Sequence, residues 1–271
     1  MKLFTNKKKL QKEIKNINNI SFVPTMGALH KGHETLIRKS VRESKKTLVS
    51  IFVNPKQFEN KKDFKNYPKN YKNDLKILKK LKVSYLYRPS YKDIYKFKTK
   101  NKIFLDQFSK KLCGKFRKGH FEGVLNVVNR FIEIIKPRYI FLGKKDYQQL
   151  FLIKKHIEKR KIKSKIIECK TIRENNGIAC SSRNLNLSKS QMKIASNIFH
   201  YLRILKKKIK KNYSLFNINK IKKDLKDLGA SKIDYLENYN IKNFKKIKRQ
   251  NKKFNIFIAY YIKNTRLIDN I

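Results

Sequence analysis

Apolar and polar stretches alternate along the first two thirds of the chain. Apolar, β-branched runs at 20–23 and 47–53 are typical of buried strands. The segment between them is amphipathic, and a helix is predicted from about His33, with Leu36 and Ile37 on one face. Two strands joined through a helix form a βαβ unit, so the strands are expected to be parallel.

The same alternation continues after this unit. Further helices are predicted at 73–81, 123–135 and 146–160, and further strands at 83–89, 139–143 and 164–172. Repeated alternation of this kind indicates an open α/β sheet, whose ligands collect at the carboxyl ends of the strands. The segments after the strands at 20–23 and 139–143 both lie at such ends.

The pattern changes after Ile172. Two helices come first and two strands follow them, predicted at 187–211, 218–230, 232–240 and 254–262. The predicted fold class is therefore α/β, with a Rossmann-like parallel-sheet domain at 1–171 and a smaller α+β domain at 172–271.

Composition indicates a folded protein outside the membrane. Of the 271 residues, 40% are hydrophobic and 12% aromatic, which excludes a disordered chain. No apolar run approaches the roughly 18 to 20 residues of a membrane span, and the N-terminus does not resemble a secretory signal. Three cysteines, Cys113, Cys169 and Cys180, form no CxxC pair. A cytoplasmic protein with no membrane partner is expected.

The charge of the chain is extreme. Seventy basic residues against 19 acidic ones give a net charge of +51, which raises the possibility of a nucleic-acid-binding protein. However, Lys, Asn, Ile, Phe and Tyr are abundant together, and all five have codons made only of A and T. The lysines are also spread along the whole chain. Mutational bias is the favoured explanation, and no specific nucleic-acid partner is expected.

The scarcity of glycine makes its positions informative. Average usage of about 7% predicts roughly 19 glycines, whereas the chain has 8, and seven of them lie between residues 27 and 177. Glycines often serve left-handed backbone or close approach of the main chain to a ligand. The chemistry is therefore expected in the first two thirds of the chain.

The stretch PTMGALHKGH, residues 24–33, combines a strand end, two glycines and two histidines. A helix that begins after a strand presents unpaired N–H groups and the positive end of its dipole, which favours phosphate. Gly32 allows close approach, and the imidazoles of His30 and His33 can donate to phosphoryl oxygens. The alternative is that the histidines only cap the helix.

This stretch resembles the HIGH-type signature of class I aminoacyl-tRNA synthetases and nucleotidylyl transferases, and in full it resembles the pantothenate synthetase family. Five further strings resemble the same family, in the family's order: SIFVNPKQF (50–58), GHFEGVLNVVNRF (119–131), FLGKKDYQQL (141–150), TIRENNGIACSSRN (171–184) and TRLIDN (265–270). The resemblance runs from about residue 21 to the C-terminus.

The resemblance implies an ATP-dependent ligation. Pantoate and β-alanine would be joined to give pantothenate, AMP and pyrophosphate, through an enzyme-bound pantoyl adenylate. It also implies a homodimer, and Mg²⁺ that enters bound to ATP.

The resemblance also assigns residues. The catalytic group would be His30, His33, Lys145 and Arg183. ATP would be bound by Met26, Gly27, Ala28, Leu29, His30, Lys31, Gly32, His33, Gly143, Lys144, Lys145, Asp146, Ile172, Cys180, Ser181, Ser182 and Arg183. Gln57 and Gln149 would bind pantoate, the first also near β-alanine. Imidazole, ammonium and guanidinium donors suit the negative charge that gathers at phosphorus in the transition state.

Several of these positions have a second interpretation. Asp146 could cap the helix that follows it, and Cys180 is read as a small buried hydrophobe. Arg117 and His120 match family positions, but a structural role is equally expected there. For Gln148 the alternative to a functional role is an ordinary surface position.

Two positions depart from the family pattern. Lys144 stands where the family commonly has glutamate, which reverses a charge beside the phosphates. The acidic pair associated with magnesium in some members is Asn73–Asp74 here, so Asp74 alone could contribute to a metal site.

Two rival functions remain from the residues alone. A nucleotidylyl transferase that leaves AMP on its product shares the histidine signature, but NPKQF and DYQQ do not fit it. A nucleic-acid-binding protein would be expected to concentrate its lysines on one face.

Overall fold

The strands of the computed structural model fall into two sheets. The structure describes residues 1–59, 61–241, 243–247 and 253–271. Within these residues a six-stranded sheet has the order β1-β4-β3-β2-β5-β6, and a three-stranded sheet has the order β7-β8-β9. Each sheet belongs to one of two units, Met1–Thr171 and Ile172–Ile271.

The strands and helices of the first unit alternate as predicted. The strands are β1 (Lys2–Phe4), β2 (Ile20–Thr25), β3 (Lys46–Ile51), β4 (Tyr85–Tyr87), β5 (Tyr139–Gly143) and β6 (Lys165–Cys169). The helices are α1 (Lys7–Ile14), α2 (Lys31–Glu43), α3 (Lys61–Lys65), α4 (Tyr71–Lys80), α5 (Tyr91–Tyr95), α6 (Cys113–Phe116), α7 (His120–Ile135) and α8 (Tyr147–Lys159). Short 3-10 helices span Pro55–Gln57, Gln107–Lys110 and Lys144–Asp146.

All strand pairs of this sheet are parallel. From β2 the chain first builds outward through β3 and β4, and then returns to the other side of β2 with β5 and β6. The order therefore reverses between β2 and β5, which is the place where open α/β sheets bind their ligands.

Strand β2 parts from β5 before it parts from β3. The pairing of β2 with β5 covers only Ser21 and Phe22, whereas its pairing with β3 continues to Thr25. Pro24 lies in this last part of β2. Proline has no N–H to donate, and it is tolerated in an inner strand where a neighbouring partner strand is missing.

The core of this unit lies between the sheet and its helices. Apolar side chains of β2, β3 and β5, such as Val23, Val49 and Phe141, pack with Ile37 of α2 and Leu78 of α4. These side chains are removed from water almost completely, and their burial is the main source of stability.

The described residues of the second unit form two α-helices and an antiparallel sheet. Its elements are α9 (Lys189–Lys211), α10 (Ile218–Asp227), β7 (Lys232–Asn240), β8 (Phe254–Ile262) and β9 (Thr265–Asn270), with 3-10 helices at Ser182–Asn186 and Tyr213–Leu215. Helix α9 starts with a capping box between Ser188 and Gln191. The predicted fold class, a Rossmann-like parallel-sheet unit followed by a smaller α+β unit, is confirmed.

Some element boundaries differ from the prediction. Helix α2 begins at Lys31 rather than about His33. Strand β3 ends at Ile51 rather than at Val53, and Phe52 makes a last hydrogen bond to the carbonyl of Thr25 at the end of β2. Strands β1 and β9 and helices α1, α3, α5 and α6 were not predicted. Strand β1 has three residues and lies exposed at the sheet edge, so no apolar run indicates it.

Candidate active site

The predicted phosphate-binding segment is a loop between β2 and α2. Residues 26–30, named the histidine loop below, connect the carboxyl end of β2 to the first turn of α2. Gly27 and Ala28 both have positive φ, +80° and +49°. This left-handed backbone is ordinary for glycine but costs about 1 kcal/mol or more for alanine, so other contacts must hold the loop in place.

His30 is the N-cap of α2. Its Nδ1 accepts a hydrogen bond of 3.1 Å from the amide of Gly32. Because Nδ1 accepts, the proton of the neutral ring is carried by Nε2, which is then a donor. His30 therefore caps the helix through Nδ1, as the alternative interpretation predicted. This hydrogen bond leaves Nε2 as the donor of the ring.

His33 lies against His30 one turn further along. The two ring centroids are 4.0 Å apart and the rings are tilted by 38°. The Nδ1 atom of His33 is buried and has no hydrogen-bond partner among the described residues. Burial, reinforced by the neighbouring His30, lowers the pKa of His33 to about 3. His33 is therefore neutral at physiological pH.

Lys145 and Asp146 follow β5, which is the strand next to β2 in the sheet. They lie in the 3-10 helix after β5, with the ammonium of Lys145 3.3 Å from the carboxylate of Asp146. Both charges act on His33, the lysine lowering its pKa and the aspartate raising it. The loops after β2 and β5 thus bring two imidazoles, one ammonium and one carboxylate together at the reversal of strand order.

The prediction that Asp146 could cap the helix that follows it is wrong in part. Asp146 stands at the N-cap position of α8, but its side chain makes no capping hydrogen bond. Its carboxylate instead pairs with Lys145.

Lys144, the departure from the family pattern, forms an ion pair with Glu168 of β6. The pair measures 3.1 Å, and Lys154 approaches the same carboxylate at 2.7 Å. Burial opposes the ionisation of Glu168, but the hydrogen bonds from Lys154 and Lys144 prevail and lower its pKa. The positive charge at 144 is therefore compensated from β6.

Gln57 is held at the carboxyl side of β3. Its side-chain carbonyl accepts from Asn54 at 3.3 Å, and its amide nitrogen lies 2.8 Å from the sulfur of Met26 in the histidine loop. Its main-chain carbonyl accepts from His120 Nδ1 at 2.7 Å and from Arg117 at 3.3 Å. Arg117 and His120 therefore position Gln57, which is the structural alternative given above.

Gly123 of α7 allows this arrangement. A Cβ atom built there would lie 2.2 Å from the carbonyl oxygen of Lys56 and 2.8 Å from the amide nitrogen of Gln57. Its own carbonyl accepts from Asn54 at 3.1 Å. Helix α7 and the 3-10 helix carrying Gln57 can pack this closely only with glycine at position 123.

The structure separates the two glutamines at the start of α8. Gln148 is buried, where it accepts from Cys113 N and donates to the carbonyls of Phe108 and Lys111. The surface position considered for it is wrong. Gln149 is half-buried and makes no side-chain hydrogen bond within the described residues.

Asp74 is buried in the first turn of α4, with 1% of its surface exposed. Its two carboxylate oxygens accept from Ala28 N at 3.0 Å and from Leu29 N at 2.7 Å. In the part of the chain that the structure describes, no group of three or more His, Cys, Asp or Glu side chains could hold a metal ion. Both carboxylate oxygens of Asp74 are thus hydrogen-bonded to the main chain of the histidine loop.

The residues of the SSR segment lie in the second unit. Ile172 accepts from Cys180 N through its carbonyl, and Cys180 is buried, as expected of a small hydrophobe. The hydroxyl of Ser181 accepts from Arg183 N and caps the 3-10 helix that begins at the buried Ser182.

Before this segment, an arginine and an aspartate that were not predicted from the sequence form an ion pair, called the clamp below. Arg173 and Asp269 form two hydrogen bonds, and Arg173 also donates to the carbonyl of Gly177. The guanidinium lies 4.3 Å from the ring centre of Phe199. Both charged residues stand in strings that carried the family resemblance, 171–184 and 265–270, but their separation by 96 residues hid the pairing.

Asn54 was also missed. Its side-chain amide donates to the side chain of Gln57 and to the carbonyl of Gly123, and its side-chain oxygen accepts from the hydroxyl of Tyr95. The available signal was a polar residue followed by proline directly after a buried strand.

Known proteins of one family match this chain over nearly its whole length. A sequence model of the family described as pantoate-beta-alanine ligase matches residues 2–271. A pantothenate synthetase of Flavobacterium psychrophilum is 38% identical over 256 residues, 93% of this chain and 91% of the relative. One of Caldicellulosiruptor saccharolyticus is 39% identical over 268 residues, 97% and 94% of the two chains.

Solved structures agree with the sequences. The crystal structure of a pantoate-beta-alanine ligase from Francisella tularensis, complexed with beta-gamma ATP and beta-alanine, has a TM-score of 0.85 and 38% identity. That match covers 100% of this chain and 97% of the other. A pantothenate synthetase from Thermus thermophilus has a TM-score of 0.91 and 26% identity, covering 100% and 99%. With the predicted strings, the strand order and these matches in agreement, the chain belongs to the pantoate–β-alanine ligase family.

Proposed function

We propose that this chain joins pantoate to β-alanine at the expense of ATP, releasing pantothenate, AMP and pyrophosphate. The observation that carries the proposal is the convergence of His30, His33 and Lys145 at the reversal of strand order. The related Francisella ligase binds beta-gamma ATP and beta-alanine, which supports the same substrates here.

The chemistry explains why ATP is needed. A carboxylate cannot be attacked by an amine, because its leaving group would be oxide. In the first step a carboxylate oxygen of pantoate bonds to the α-phosphorus, and the bond to the β-phosphate breaks and releases pyrophosphate. In the second step the neutral amine of β-alanine bonds to the acyl carbon. The C–O bond then breaks, AMP leaves with that oxygen, and the nitrogen loses a proton.

The first step gathers negative charge on the phosphoryl oxygens. We assign Nε2–H of His30, the ring of His33 and the ammonium of Lys145 to stabilise this charge, since fixed donors in a site that excludes water act most strongly. A neutral His33 can fill this role, because one nitrogen of a neutral imidazole still carries a proton and can donate a hydrogen bond.

The remaining assignments are proposals for binding. The main chain of residues 26–33 and 143–146 would contact ATP, and Ile172 would contact the adenine. Ser181, Ser182 and Arg183, preceded by Cys180, would bind triphosphate oxygens, for which a guanidinium offers two parallel donors. Gln57 and Gln149 would bind the hydroxyls and carboxylate of pantoate.

Magnesium is proposed to enter with ATP. Asp74, the one acidic residue considered as a ligand, already accepts from two amides. It does not fit a dedicated metal site, and Mg²⁺ keeps several waters and substrate phosphates as ligands in sites of this kind.

The setting is proposed to be the cytoplasm, with a homodimer as the assembly. Cys113, Cys169 and Cys180 are free and buried, which suits a reducing compartment. No helix among the described residues is long and apolar enough to cross a membrane. The dimer rests on the family resemblance, and light scattering of the purified protein tests it.

Product analysis tests the proposed function. Purified protein with ATP, pantoate and β-alanine is expected to yield pantothenate, AMP and pyrophosphate in equal amounts, and no pantothenate without β-alanine. A product that retained AMP in the presence of β-alanine would instead identify a nucleotidylyl transferase. Formation of ADP and phosphate would contradict adenylation.

A further inference from the structure

We propose that Asp74 is the positioning residue of the histidine loop, and that it sets the orientation of His30 and His33 for attack at the α-phosphorus of ATP. The proposal rests on the proposed function. It gives Asp74 a role different from that of a magnesium ligand.

The carboxylate of Asp74 accepts hydrogen bonds from the main-chain N–H groups of two consecutive residues. Oδ2 accepts from Ala28 N at 3.0 Å, and Oδ1 accepts from Leu29 N at 2.7 Å. Hydrogen bonds with an ionised acceptor are about twice as strong as neutral ones. Because two adjacent N–H groups point at one planar carboxylate, both peptide planes are fixed directly before His30.

The loop needs this support because its backbone is unfavourable. Ala28 has φ +49°, in the left-handed region, and Gly27 before it has φ +80°. A Cβ at Gly27 would lie 3.0 Å from Oδ2 of Asp74, so glycine lets the loop sit directly on the carboxylate. Unusual backbone persists only where the surroundings determine it, and it concentrates at functional sites.

Holding a carboxylate here has a cost. Asp74 is 1% exposed, and burial raises its pKa above the ordinary value, although the hydrogen bonds from Leu29 and Ala28 oppose this shift. Within the described residues it forms no ion pair. A buried charge without a counter-ion is expensive in a core, so an apolar residue would suit a merely structural position better. The charge is therefore explained by the hydrogen bonds that it accepts from the amides of Ala28 and Leu29.

Asp74 is itself held firmly. It lies in the first turn of α4, where the helix dipole favours a negative charge, and its amide donates to the carbonyl of Asn70 at 2.9 Å. The next turn of α4 carries Leu78, which is fully buried. The position of the histidines is thereby tied to a packed helix.

The test compares Asp74→Asn with Asp227→Asn, an exposed aspartate at the end of α10. Asparagine keeps one acceptor but turns an NH₂ group toward the second amide. We expect Asp74→Asn to lower kcat of pantoate-dependent pyrophosphate–ATP exchange at least about tenfold, with KM for ATP changed by less than roughly threefold, since misplaced catalytic groups act mainly on the transition state. Asp227→Asn should behave as the wild type.

Two readouts separate positioning from other roles. In Asp74→Asn the Mg²⁺ concentration for half-maximal exchange should be unchanged. The NMR resonances of the His30 and His33 side chains should shift, while those of His156, held by Phe104 and Asn129, should not. Recovery of kcat at high Mg²⁺ would show a metal ligand and overturn the proposal. Wild-type kcat with unmoved histidine resonances would overturn it as well.

A measurement on the wild type does not depend on the variant folding. The amides of Ala28 and Leu29 should exchange with solvent as slowly as those of the strand β2 core, and exchange at unprotected rates would contradict the proposed grip. If the folded wild type shows no pantoate-dependent exchange at all, the proposed function fails, while the amide protection and the histidine resonances still test the positioning role.

Discussion

The imidazole rings of His30 and His33 lie 4.0 Å apart between centroids, at the start of the helix that follows β2. His30 is committed through Nδ1 to the amide of Gly32, whereas Nδ1 of His33 is buried without a protein partner among the described residues. The pair thus combines one ring fixed by a hydrogen bond at Nδ1 with one ring whose Nδ1 makes no hydrogen bond to the described residues.

The protonation of His33 can be measured directly. Because burial and His30 lower its pKa to about 3, its NMR resonances should not titrate between pH 5 and 8 in the folded protein. In urea the same resonances should titrate near the ordinary value of about 6.5. A folded-state titration of His33 between pH 5.5 and 7.5 would contradict a ring that stays neutral over this range.

The pair of Arg173 and Asp269 should stabilise the second unit. The two hydrogen bonds, 2.6 and 2.9 Å, lie in a largely buried place, and removing one partner leaves an uncompensated charge. Asp269→Asn is expected to lower the free energy of unfolding by about 3 kcal/mol. The control is Lys246→Ala, which removes a more exposed pair with Glu237 and should cost under about 1 kcal/mol. Equal losses in urea denaturation would contradict the clamp.

His156 should make stability depend on pH. It is 0% exposed, accepts from Phe104 N and donates to Asn129, and burial followed by the charge of Arg160 lowers its pKa to about 4, against the opposing effect of Glu133. The folded pKa lies below the unfolded value of about 6.5, so this contribution is complete above pH 6.5 and is lost as the pH falls toward 4.

The variant His156→Gln tests this dependence. Between pH 7 and 4.5 its loss of unfolding free energy should be about 2–3 kcal/mol smaller than that of the wild type. His200→Gln, at an exposed position of α9, is the control and should keep the wild-type loss. An unchanged pH dependence in His156→Gln would exclude the buried histidine as its source.

Gly123→Ala should disturb Gln57. Alanine favours a helix interior over glycine by about 1 kcal/mol, but its Cβ would meet the carbonyl of Lys56 at 2.2 Å. The clash should prevail, with a net loss of stability of about 2 kcal/mol and a raised KM for pantoate. Gly143→Ala, where no atom lies within 4 Å and φ is −82°, should leave thermal stability within about 0.5 kcal/mol. Equal stability of the two variants would refute the close packing.

The sequence predicted the elements that have a local apolar pattern, and it missed elements that depend on pairing with a distant or neighbouring strand. The strands β2 and β5 and helix α7 appear in the local apolar pattern, and they are present in the structure. Strand β1 depends on pairing with β4 more than 80 residues away, and β9 is formed by a hairpin with β8. Neither has a distinctive local pattern, because two thirds of the residues in each are polar or exposed.

The candidate site was predicted to a similar degree. The family motifs led to His30, His33 and Lys145, and the family itself is confirmed. The grip of Asp74 on the histidine loop spans 46 residues, and the clamp of Arg173 on Asp269 spans 96. Such contacts join a side chain to a peptide group or a charge that only the folded chain brings near.

The most direct measurement is the exchange of labelled pyrophosphate into ATP by the purified protein. Exchange should require pantoate and proceed without β-alanine. Lys145→Ala should lower it at least about 100-fold, as expected for the loss of a donor to transition-state charge, while Lys155→Ala, at an exposed ion pair of α8, should keep it. No pantoate-dependent exchange by the folded wild type, or undiminished exchange by Lys145→Ala, would contradict adenylation at this site.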